Sequence, residues 1–274
     1  FKVGDRVMSL LQGGGYAEFA VANEATTMAA PPSLGLDRAV AVPEHLMTAY
    51  QLLFTVGKGV AGESVLLHAG ASGVGLAAVQ LARRAGMRPF VTCRSDAKAE
   101  AALALGAVAA FNVAAAPSAG PSAEAGGGQV DWVAAVKAAN GRKCVDLVLD
   151  PVGSAYCAGN VEVLGMDGRW VLYGLMSGAE LSHSPRFLGQ VLAKRLALVG
   201  TTLRGRPLEY KRALAGEVEK LVPSVAAGDF KVLVADQQFP FTTEGARAAH
   251  ALMAENKNIG KIILRVREGE AQDT

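Results

Sequence analysis

The chain has 274 residues, 51% of them hydrophobic, and its 27 Lys and Arg against 25 Asp and Glu give a formal net charge of +2. This length suits one large or two medium domains, and the balanced charge argues against a nucleic-acid surface, so no nucleic-acid partner is expected. The three cysteines, Cys93, Cys144 and Cys157, are an odd number at wide spacing. They predict neither a disulfide framework nor a zinc cluster, and they favour a reducing, cytoplasmic location.

Hydropathy also argues against a membrane protein. The longest stretch without formal charge, residues 64–82, is interrupted by glycines, Ser72 and His68, so no membrane span is expected. No basic-then-apolar signal opens the chain. The sequence begins with FKVGDRVMSL, without an initiator Met and within a strand-like phrase. We therefore expect that an N-terminal part of the ancestral domain is absent.

The first part of the chain changes its pattern near residue 31. Residues 1–30 alternate short apolar runs with glycines, which predicts β-hairpins of a small all-β unit. The phrase PPSLG at 31–35 interrupts the chain. Residues 36–56 then place apolar side chains at helical spacing and predict a helix.

From Gly62 onward, continuous apolar runs of strand length alternate with helical patterns. The runs lie at residues 64–69, 88–93, 107–113, 145–150, 169–174 and 196–201. Continuous rather than alternating apolar strands are typical of strands buried on both faces. The sequence therefore predicts an α/β fold with a doubly wound parallel sheet, and six strands fit its dinucleotide-binding version.

The remaining segments are less regular. Residues 114–129 are of low complexity and predict an expanded surface loop. Beyond residue 205, the pattern predicts a helix near 210–227, a strand near 231–235, a helix at 243–255 and a last strand at 260–266.

The segment GASGVG at residues 70–75 has the glycines of a dinucleotide-binding turn. Gly70 permits a tight reversal, Gly75 lets a helix pack closely on the strand, and helix N-terminal amides meet a pyrophosphate. Ser72 occupies the middle glycine position, where it crowds the turn slightly but offers a hydroxyl to phosphate. With a strand before it and a helix after it, the segment predicts a pyrophosphate site. A glycine-rich turn without a ligand is the alternative.

The end of the second Rossmann strand predicts which dinucleotide is bound. Enzymes that use NAD place Asp or Glu here to bind the ribose 2′-hydroxyl, whereas the phrase VTCRSDAK places Cys93 in that position. Arg94, Ser95 and Lys98 follow, and a hydroxyl with a cation can bind a 2′-phosphate. The sequence therefore predicts NADP(H). For Lys98 alone, a solvated side chain on the next helix is the alternative.

Six phrases in family order resemble the medium-chain dehydrogenase/reductase superfamily, and most closely its zinc-independent quinone oxidoreductase branch. They are GDRVMSLLQGGGYAEF, AVPEHLMTAYQLL, VLLHAGASGVGLAAVQLAR, DGRWVLYGLMSG, TTLRGR and NKNIGKIIL. The resemblance implies a partial GroES-like β-domain at 1–43, a Rossmann NADP-binding domain at 44–204 and a C-terminal return segment at 205–274. It also implies hydride transfer from NADPH to a quinone and a homodimer joined through the cofactor domains. An enoyl or alkenal reductase and a non-catalytic NADPH-binding protein remain alternatives.

The resemblance also assigns cofactor contacts by position. Gly70, Ala71, Ser72, Gly73, Val74 and Gly75 match the pyrophosphate turn; Ser95 and Lys98 match the 2′-phosphate site; Thr48 matches the threonine beside the nicotinamide; Tyr173, Gly174, Leu175 and Met176 match the segment at its ribose; Thr201, Thr202 and Leu203 match the segment whose backbone holds the carboxamide; and Asn258 and Lys261 match the C-terminal contact phrase. No catalytic residue is assigned, because hydride transfer to a quinone requires orientation and exclusion of water more than a protein acid or base.

Other chemistries lack their motifs. Neither the Tyr-x-x-x-Lys pair of short-chain reductases nor the G-x-S-x-G elbow of hydrolases occurs in the sequence. Glu44 and His45 lie near the place of a zinc ligand in zinc alcohol dehydrogenases, but ordinary polarity at a helix end is the simpler interpretation, and no metal site is expected. His68 ends a buried strand and is expected to be a hydrogen-bonded core histidine.

Overall fold

The computed structural model describes residues 1–114, 131–181 and 186–267. The chain divides into two compact units, one of residues 48–205 and one that combines residues 1–47 with residues 206–274. The three-part domain division therefore stays a prediction. The loop predicted at 114–129 lies outside the described residues, apart from Ala114.

The N-terminal segment is only partly the predicted hairpin material. Strands β1 (Val7–Ser9) and β2 (Thr27–Ala29) pair antiparallel, with Met8 opposite Met28. The phrase YAEFAVA at 16–22 forms no strand, so that part of the prediction is wrong. The chain instead enters β2 through a 3-10 turn, which Asn23 stabilises by accepting a hydrogen bond from Ala25 N at 2.9 Å.

The helical prediction for residues 36–56 is confirmed in three pieces. Helix α1 (Leu36–Ala39) precedes α2 (Val42–Tyr50), and α2 continues as a π-helical turn, Gln51–Val56. The turn ends where Gly57 N donates to Leu52 O at 3.0 Å, five residues back along the chain.

The unit of residues 48–205 is built on one parallel sheet, whose six strands are all within the described part of the chain. The strands are β3 (Ser64–Leu67), β4 (Arg88–Cys93), β5 (Ala109–Asn112), β6 (Val145–Asp150), β7 (Leu164–Leu172) and β8 (Ala197–Gly200). Their order in the sheet is β5-β4-β3-β6-β7-β8. The order reverses direction at β3, so the predicted doubly wound sheet with dinucleotide-binding topology is confirmed.

Helices alternate with these strands along the chain. They are α3 (Gly73–Arg84), α4 (Asp96–Ala104), α5 (Trp132–Ala139), α6 (Cys157–Val163) and α7 (Phe187–Ala193). The central strands β3, β4 and β6 are buried along almost their whole length, as continuous apolar runs predict. Leu66, Phe90 and Val148 from these strands pack in one core with Trp132 of α5 and Trp170 of β7.

The C-terminal segment departs from prediction at three places. It forms α8 (Leu208–Glu219), α9 (Val222–Ala226), β9 (Phe239–Pro240), α10 (Thr243–Ala254) and β10 (Leu264–Arg265). The single helix predicted at 210–227 is interrupted, because Pro223 cannot continue the hydrogen-bond ladder of α8. The predicted strand at 231–235 is one parallel bridge between Val234 and Lys261. The last strand is shorter than the predicted 260–266, since only Leu264–Arg265 pair as a strand.

Gly75 determines how closely α3 approaches the end of β3. A Cβ atom added to Gly75 would meet Gly70 O at 2.5 Å and Gly70 Cα at 2.6 Å. Both neighbours are backbone atoms, which cannot move aside as a flexible side chain could. Gly216 in α8 is the opposite case, because a Cβ atom there would meet nothing within 4 Å.

Two glycine substitutions are therefore expected to change stability in opposite directions. Gly75→Ala should lower the free energy of unfolding by about 1–3 kcal/mol, as overpacking does. Gly216→Ala should raise it by about 0.5–1 kcal/mol, because alanine is the better helix former. Urea titrations followed by circular dichroism give both values. Equal effects of the two substitutions would contradict the close packing at Gly75.

Candidate functional site

The turn after β3 is hydrogen-bonded to the strands on both sides. His68 N donates to Leu149 O of β6 at 3.1 Å, and Gly70 N donates to Thr92 O of β4 at 3.0 Å. Ala69 between them has a φ of 51°, in the left-handed region that costs a non-glycine residue about 1–2 kcal/mol. The turn thus lies at the switch point between β4 and β6, where doubly wound sheets bind their ligands.

Helix α3 starts directly after this turn, with Ser72 as its N-cap. Ser72 Oγ accepts a hydrogen bond from Gly75 N at 3.1 Å, and the hydroxyl keeps its own proton to donate. The N–H groups of Gly73 and Val74, at the first two helical positions, have no acceptor within the helix. Together with the positive end of the helix dipole, they favour an anion such as a pyrophosphate.

The neighbouring strand β4 leads into a second capped helix. Ser95 caps α4, and its Oγ accepts a hydrogen bond from Lys98 N at 3.3 Å. Cys93 is buried, and burial raises the pKa of its thiol, so this position is uncharged at neutral pH. The carboxylate of Asp96 accepts a hydrogen bond from Asn112 Nδ2 at 2.9 Å, at the end of β5.

Two cations flank the Ser95 cap. Lys98 is only 7% exposed, so the alternative of a solvated side chain is wrong. Burial lowers the pKa of Lys98, and Arg94 acts in the same direction, whereas Cys93 opposes it. Arg94 itself is exposed. The end of β4 thus combines a hydroxyl with two cationic side chains and lacks the carboxylate that binds a ribose 2′-hydroxyl.

The carboxylate of Asp150, at the end of β6, is buried and accepts four hydrogen bonds. Its Oδ1 accepts from Val152 N at 2.6 Å and from Gly153 N at 3.1 Å. Its Oδ2 accepts from Asn160 Nδ2 at 2.8 Å and from Trp170 Nε1 at 3.2 Å. Burial raises the pKa of Asp150 above its usual value, although the four donors act in the opposite direction. Every partner is a donor, so both oxygens act as acceptors, an arrangement that suits an ionised carboxylate.

Asn160 extends this network to His68, which is fully buried. His68 Nε2 lies 2.7 Å from Asn160 Oδ1, and His68 Nδ1 lies 2.7 Å from Thr92 Oγ1. Because Asn160 turns its amide nitrogen to Asp150, its oxygen accepts from His68, which places the imidazole proton on Nε2. Burial lowers the pKa of His68 to about 4. The expected hydrogen-bonded core histidine is confirmed.

The segment of residues 173–176 follows β7 and runs beside the loop that follows β6. Tyr173 N donates to Asp150 O at 2.9 Å, and Met176 N donates to Pro151 O at 3.1 Å. A Cβ atom on Gly174 would meet Pro151 O at 2.8 Å, so the two segments approach closely only because this residue is glycine. Burial raises the pKa of Tyr173, and Asp150 adds to this shift.

The segment of residues 201–203 follows β8 and is contacted by Gln51, for which the sequence predicts no role. Gln51 Nε2 donates to Thr201 Oγ1 at 2.6 Å and lies 3.4 Å from Thr202 O. Gln51 is three residues beyond Thr48, in the same helical stretch. The signal in the sequence was a lone amide in the apolar phrase HLMTAYQLLFTV. Asp150 is a similar case, because it is a charged residue at the end of the apolar run VDLVLD.

The structure thus places most of the predicted cofactor contacts at one edge of one sheet. The turn at 70–75, Ser95, and the segments at 173–176 and 201–203 all follow the carboxyl ends of parallel strands in the unit of residues 48–205. Asn258 and Lys261 belong to the other unit, where Asn258 Nδ2 donates to Gly260 O at 2.9 Å.

His45 and Glu44, the residues nearest to a zinc-ligand position, show no metal-site geometry. His45 is buried, and burial, with a further effect of Lys261, lowers its pKa to about 3. Within residues 1–114, 131–181 and 186–267, no group of three or more His, Cys, Asp or Glu side chains could hold a metal ion. The donors for a zinc ion therefore do not come together in this part of the chain. The same residues include no helix long and apolar enough to cross a membrane.

Known proteins share this sequence pattern and fold. A family model described as zinc-binding dehydrogenase matches residues 73–218. Quinone oxidoreductase of Rattus norvegicus is 28% identical over 266 residues, which cover 96% of this chain and 73% of the rat protein. The synaptic vesicle membrane protein VAT-1 homolog of Homo sapiens is 31% identical over 282 residues, which cover 96% of this chain and 65% of the human protein. The crystal structure of Escherichia coli quinone oxidoreductase complexed with NADPH matches with a TM-score of 0.78 at 28% identity, covering 97% of this chain and 76% of that chain.

The depressed pKa of His68 predicts acid sensitivity. Its pKa is about 4 in the folded chain and 6.5 when unperturbed, so between these values the unfolded state binds the extra proton. The free energy of unfolding should therefore fall with falling pH in this window, by up to about 1.4 kcal/mol per pH unit. This contribution to stability is fully present above pH 6.5.

The variant His68→Gln isolates this contribution, because glutamine does not titrate. His45 and the carboxylates are the same in both proteins, so their titration cancels in the comparison. Urea titrations of both proteins between about pH 7 and pH 5 should show the wild type losing stability relative to the variant. A difference in unfolding free energy that does not change with pH would show that His68 is not held neutral.

Proposed function

Because this chain belongs to the medium-chain dehydrogenase/reductase superfamily, in its zinc-independent quinone oxidoreductase branch, we propose that it is an NADPH-dependent reductase that transfers a hydride to a quinone. One observation carries the proposal. At the switch point of the sheet, a capped helix N-terminus for a pyrophosphate lies beside a strand end with Ser95, Arg94 and Lys98 and a neutral Cys93. This combination suits a dinucleotide that carries a 2′-phosphate.

The residues present fit NADPH part by part. The N–H groups of Gly73 and Val74 and the Ser72 hydroxyl would bind the pyrophosphate. The Ser95 hydroxyl with the two cations would bind the 2′-phosphate. The segments at 173–176 and 201–203, together with Thr48, would hold the nicotinamide and its ribose. These assignments are the predicted ones.

The chemistry requires little proton transfer from the protein. Bound NADPH supplies the hydride, and solvent can protonate the quinone oxygen that gains negative charge. The residues at the carboxyl edge are suited to a reaction in which solvent supplies the proton. Burial lowers the pKa of His68 to about 4 and raises the pKa values of Cys93 and Tyr173. None of the three exchanges a proton near neutral pH. The protein then contributes orientation and exclusion of water.

Two alternatives remain for the whole protein. An enoyl or alkenal reductase would use the same hydride donor on a C=C bond. A non-catalytic NADPH-binding protein is the other alternative, and one relative bears the name of a synaptic vesicle membrane protein. Oxidation of NADPH with an ortho-quinone and with a panel of enones separates them. Turnover of enones alone would replace the quinone assignment, and tight NADPH binding without turnover would favour a binding protein.

A homodimer and a cytoplasmic location stay predictions. The dimer is supported by β8, which lies at one edge of the sheet. Leu198 on this strand and Leu188 and Leu192 on α7 are exposed apolar side chains. A two-fold axis could pair such an edge strand with its copy in antiparallel orientation, which would cover these leucines. Analytical ultracentrifugation would measure the oligomeric state directly.

The 2′-phosphate assignment predicts a cofactor-selective effect. Lys98→Ala should weaken NADPH binding by about 1–3 kcal/mol, the scale of a lost charge-assisted hydrogen bond, with little effect on NADH. Lys143→Ala is the matched control, because it removes the same charge just before β6, at the amino edge of the sheet. Fluorescence titration with each cofactor gives the affinities. Equal weakening of NADPH and NADH by Lys98→Ala would show that the assigned role is wrong.

A further inference from the structure

Gln51 links the two sides of the proposed nicotinamide site. It is the first residue of the π-helical turn that continues α2, and its side chain is 1% exposed. Thr48 lies three residues earlier, and helical residues three apart share a face. Gln51 therefore belongs to the helix surface that carries Thr48, although the resemblance assigned it no role.

The amide of Gln51 holds the segment of residues 201–203 through two polar contacts. Its Nε2 donates to Thr201 Oγ1 at 2.6 Å and lies 3.4 Å from Thr202 O. Thr201 is itself anchored, because its N–H donates to Leu172 O at the end of β7 at 2.9 Å. The short Gln51–Thr201 hydrogen bond thus connects the π-helical turn to the strand ends of the sheet.

The other half of the Gln51 amide is unsatisfied. Among the residues that the structure describes, Gln51 Oε1 has no hydrogen-bond partner although it is buried. A buried carbonyl without a donor destabilises a fold, and an apolar side chain of similar volume would avoid this loss. Stability alone therefore does not account for a glutamine at this position.

The local backbone supports a role in placement. A π-helical turn is rare and occurs frequently at functional sites. Here the turn begins at Gln51 itself and closes at Gly57, whose N–H donates to Leu52 O. The turn thus begins at the residue that contacts Thr201, three residues beyond Thr48.

We propose that Gln51 is a positioning residue of the cofactor site. Through Thr201 it sets the placement of residues 201–203 relative to the helix that carries Thr48, and it acts on the cofactor only through this segment. The role rests on the proposed function, since it needs NADPH as the ligand. It adds a residue to which neither the motifs nor the resemblance pointed.

The test uses Gln51→Leu, which removes both polar contacts together with the unsatisfied acceptor. The expected result is a melting temperature within a few degrees of the wild type and an NADPH Kd raised about five- to tenfold. Thr201→Val should show the same loss of NADPH affinity. Thr201→Ser, which retains the hydroxyl, should bind NADPH as tightly as the wild type. The double variant Gln51→Leu/Thr201→Val should bind no more weakly than either single variant, because both remove the same hydrogen bond.

Asn140→Leu is the matched control. Asn140 is also a buried amide with an unsatisfied oxygen, but it donates to Cys144 O and Lys143 O just before β6, at the amino edge of the sheet. Any loss of stability in this variant should leave the NADPH Kd unchanged. If Asn140→Leu weakened NADPH binding as much as Gln51→Leu, a general effect of buried amides would overturn the positioning role.

The remaining outcomes separate this inference from the proposed function. If the wild type does not bind NADPH, the proposed function fails and the inference fails with it. If the wild type binds NADPH and Gln51→Leu binds it equally well, the inference alone is overturned. Additive losses in the double variant, or failure of Thr201→Ser to restore affinity, would also overturn it, because the effect would not pass through the Thr201 hydroxyl.

Discussion

The carboxyl edge of the sheet depends on the buried carboxylate of Asp150. A charge removed from water is tolerated only when donors surround it, and here four N–H groups do so. Two come from the loop that follows β6, one from Asn160 of α6 and one from Trp170 of β7. Each of these elements must therefore place a donor within about 3 Å of one carboxylate. The carboxylate thus fixes the start of the segment at 173–176, which hydrogen-bonds to the same loop.

The hydrogen bonds of Asp150 also orient His68, the side chain that precedes the turn at residues 70–75. Asn160 can donate to Asp150 only with its nitrogen, so its oxygen is left for His68 Nε2, and His68 Nδ1 is left for the hydroxyl of Thr92. With this orientation of the Asn160 amide, each hydrogen bond from Asp150 through Asn160 and His68 to Thr92 has a matching donor and acceptor. These hydrogen bonds hold the neutral imidazole directly before Ala69, whose left-handed backbone needs such support. The side chain that precedes the turn thus has both ring nitrogens hydrogen-bonded.

The parts of this structure that the sequence could predict are those governed by local pattern. Six apolar runs predicted the six strands, because strands covered on both faces are apolar throughout. The prediction was wrong at 16–22 and at 231–235, where apolar residues occur without strand pairing. Such short segments become strands only if a partner lies beside them, and no local pattern specifies that partner. Capping by Ser95 follows from local pattern as well, since serine is a preferred N-cap residue.

The network of Asp150 and the contact of Gln51 could not be predicted in the same way. Gln51 meets Thr201 across 150 positions of sequence, and His68 meets Asn160 across 92. A polar residue in an apolar run indicates that some partner exists, because burial without one is unfavourable. Which partner it meets depends on the order of the strands, and that order becomes visible only in the folded chain.

Ser72 shows why a departure from the glycine fingerprint can be harmless. Its backbone has a φ of −68° and a ψ of 163°, which any residue adopts without strain, so glycine is not required there for conformation. Its side-chain oxygen accepts a hydrogen bond from Gly75 N as the N-cap of α3, and the hydroxyl proton remains available to a phosphate. Glycine is required instead at Gly75, where an added Cβ atom would meet the backbone of Gly70. The serine therefore replaces a glycine at a position where its side chain caps the helix, and the N–H groups of Gly73 and Val74 after it remain open to an anion.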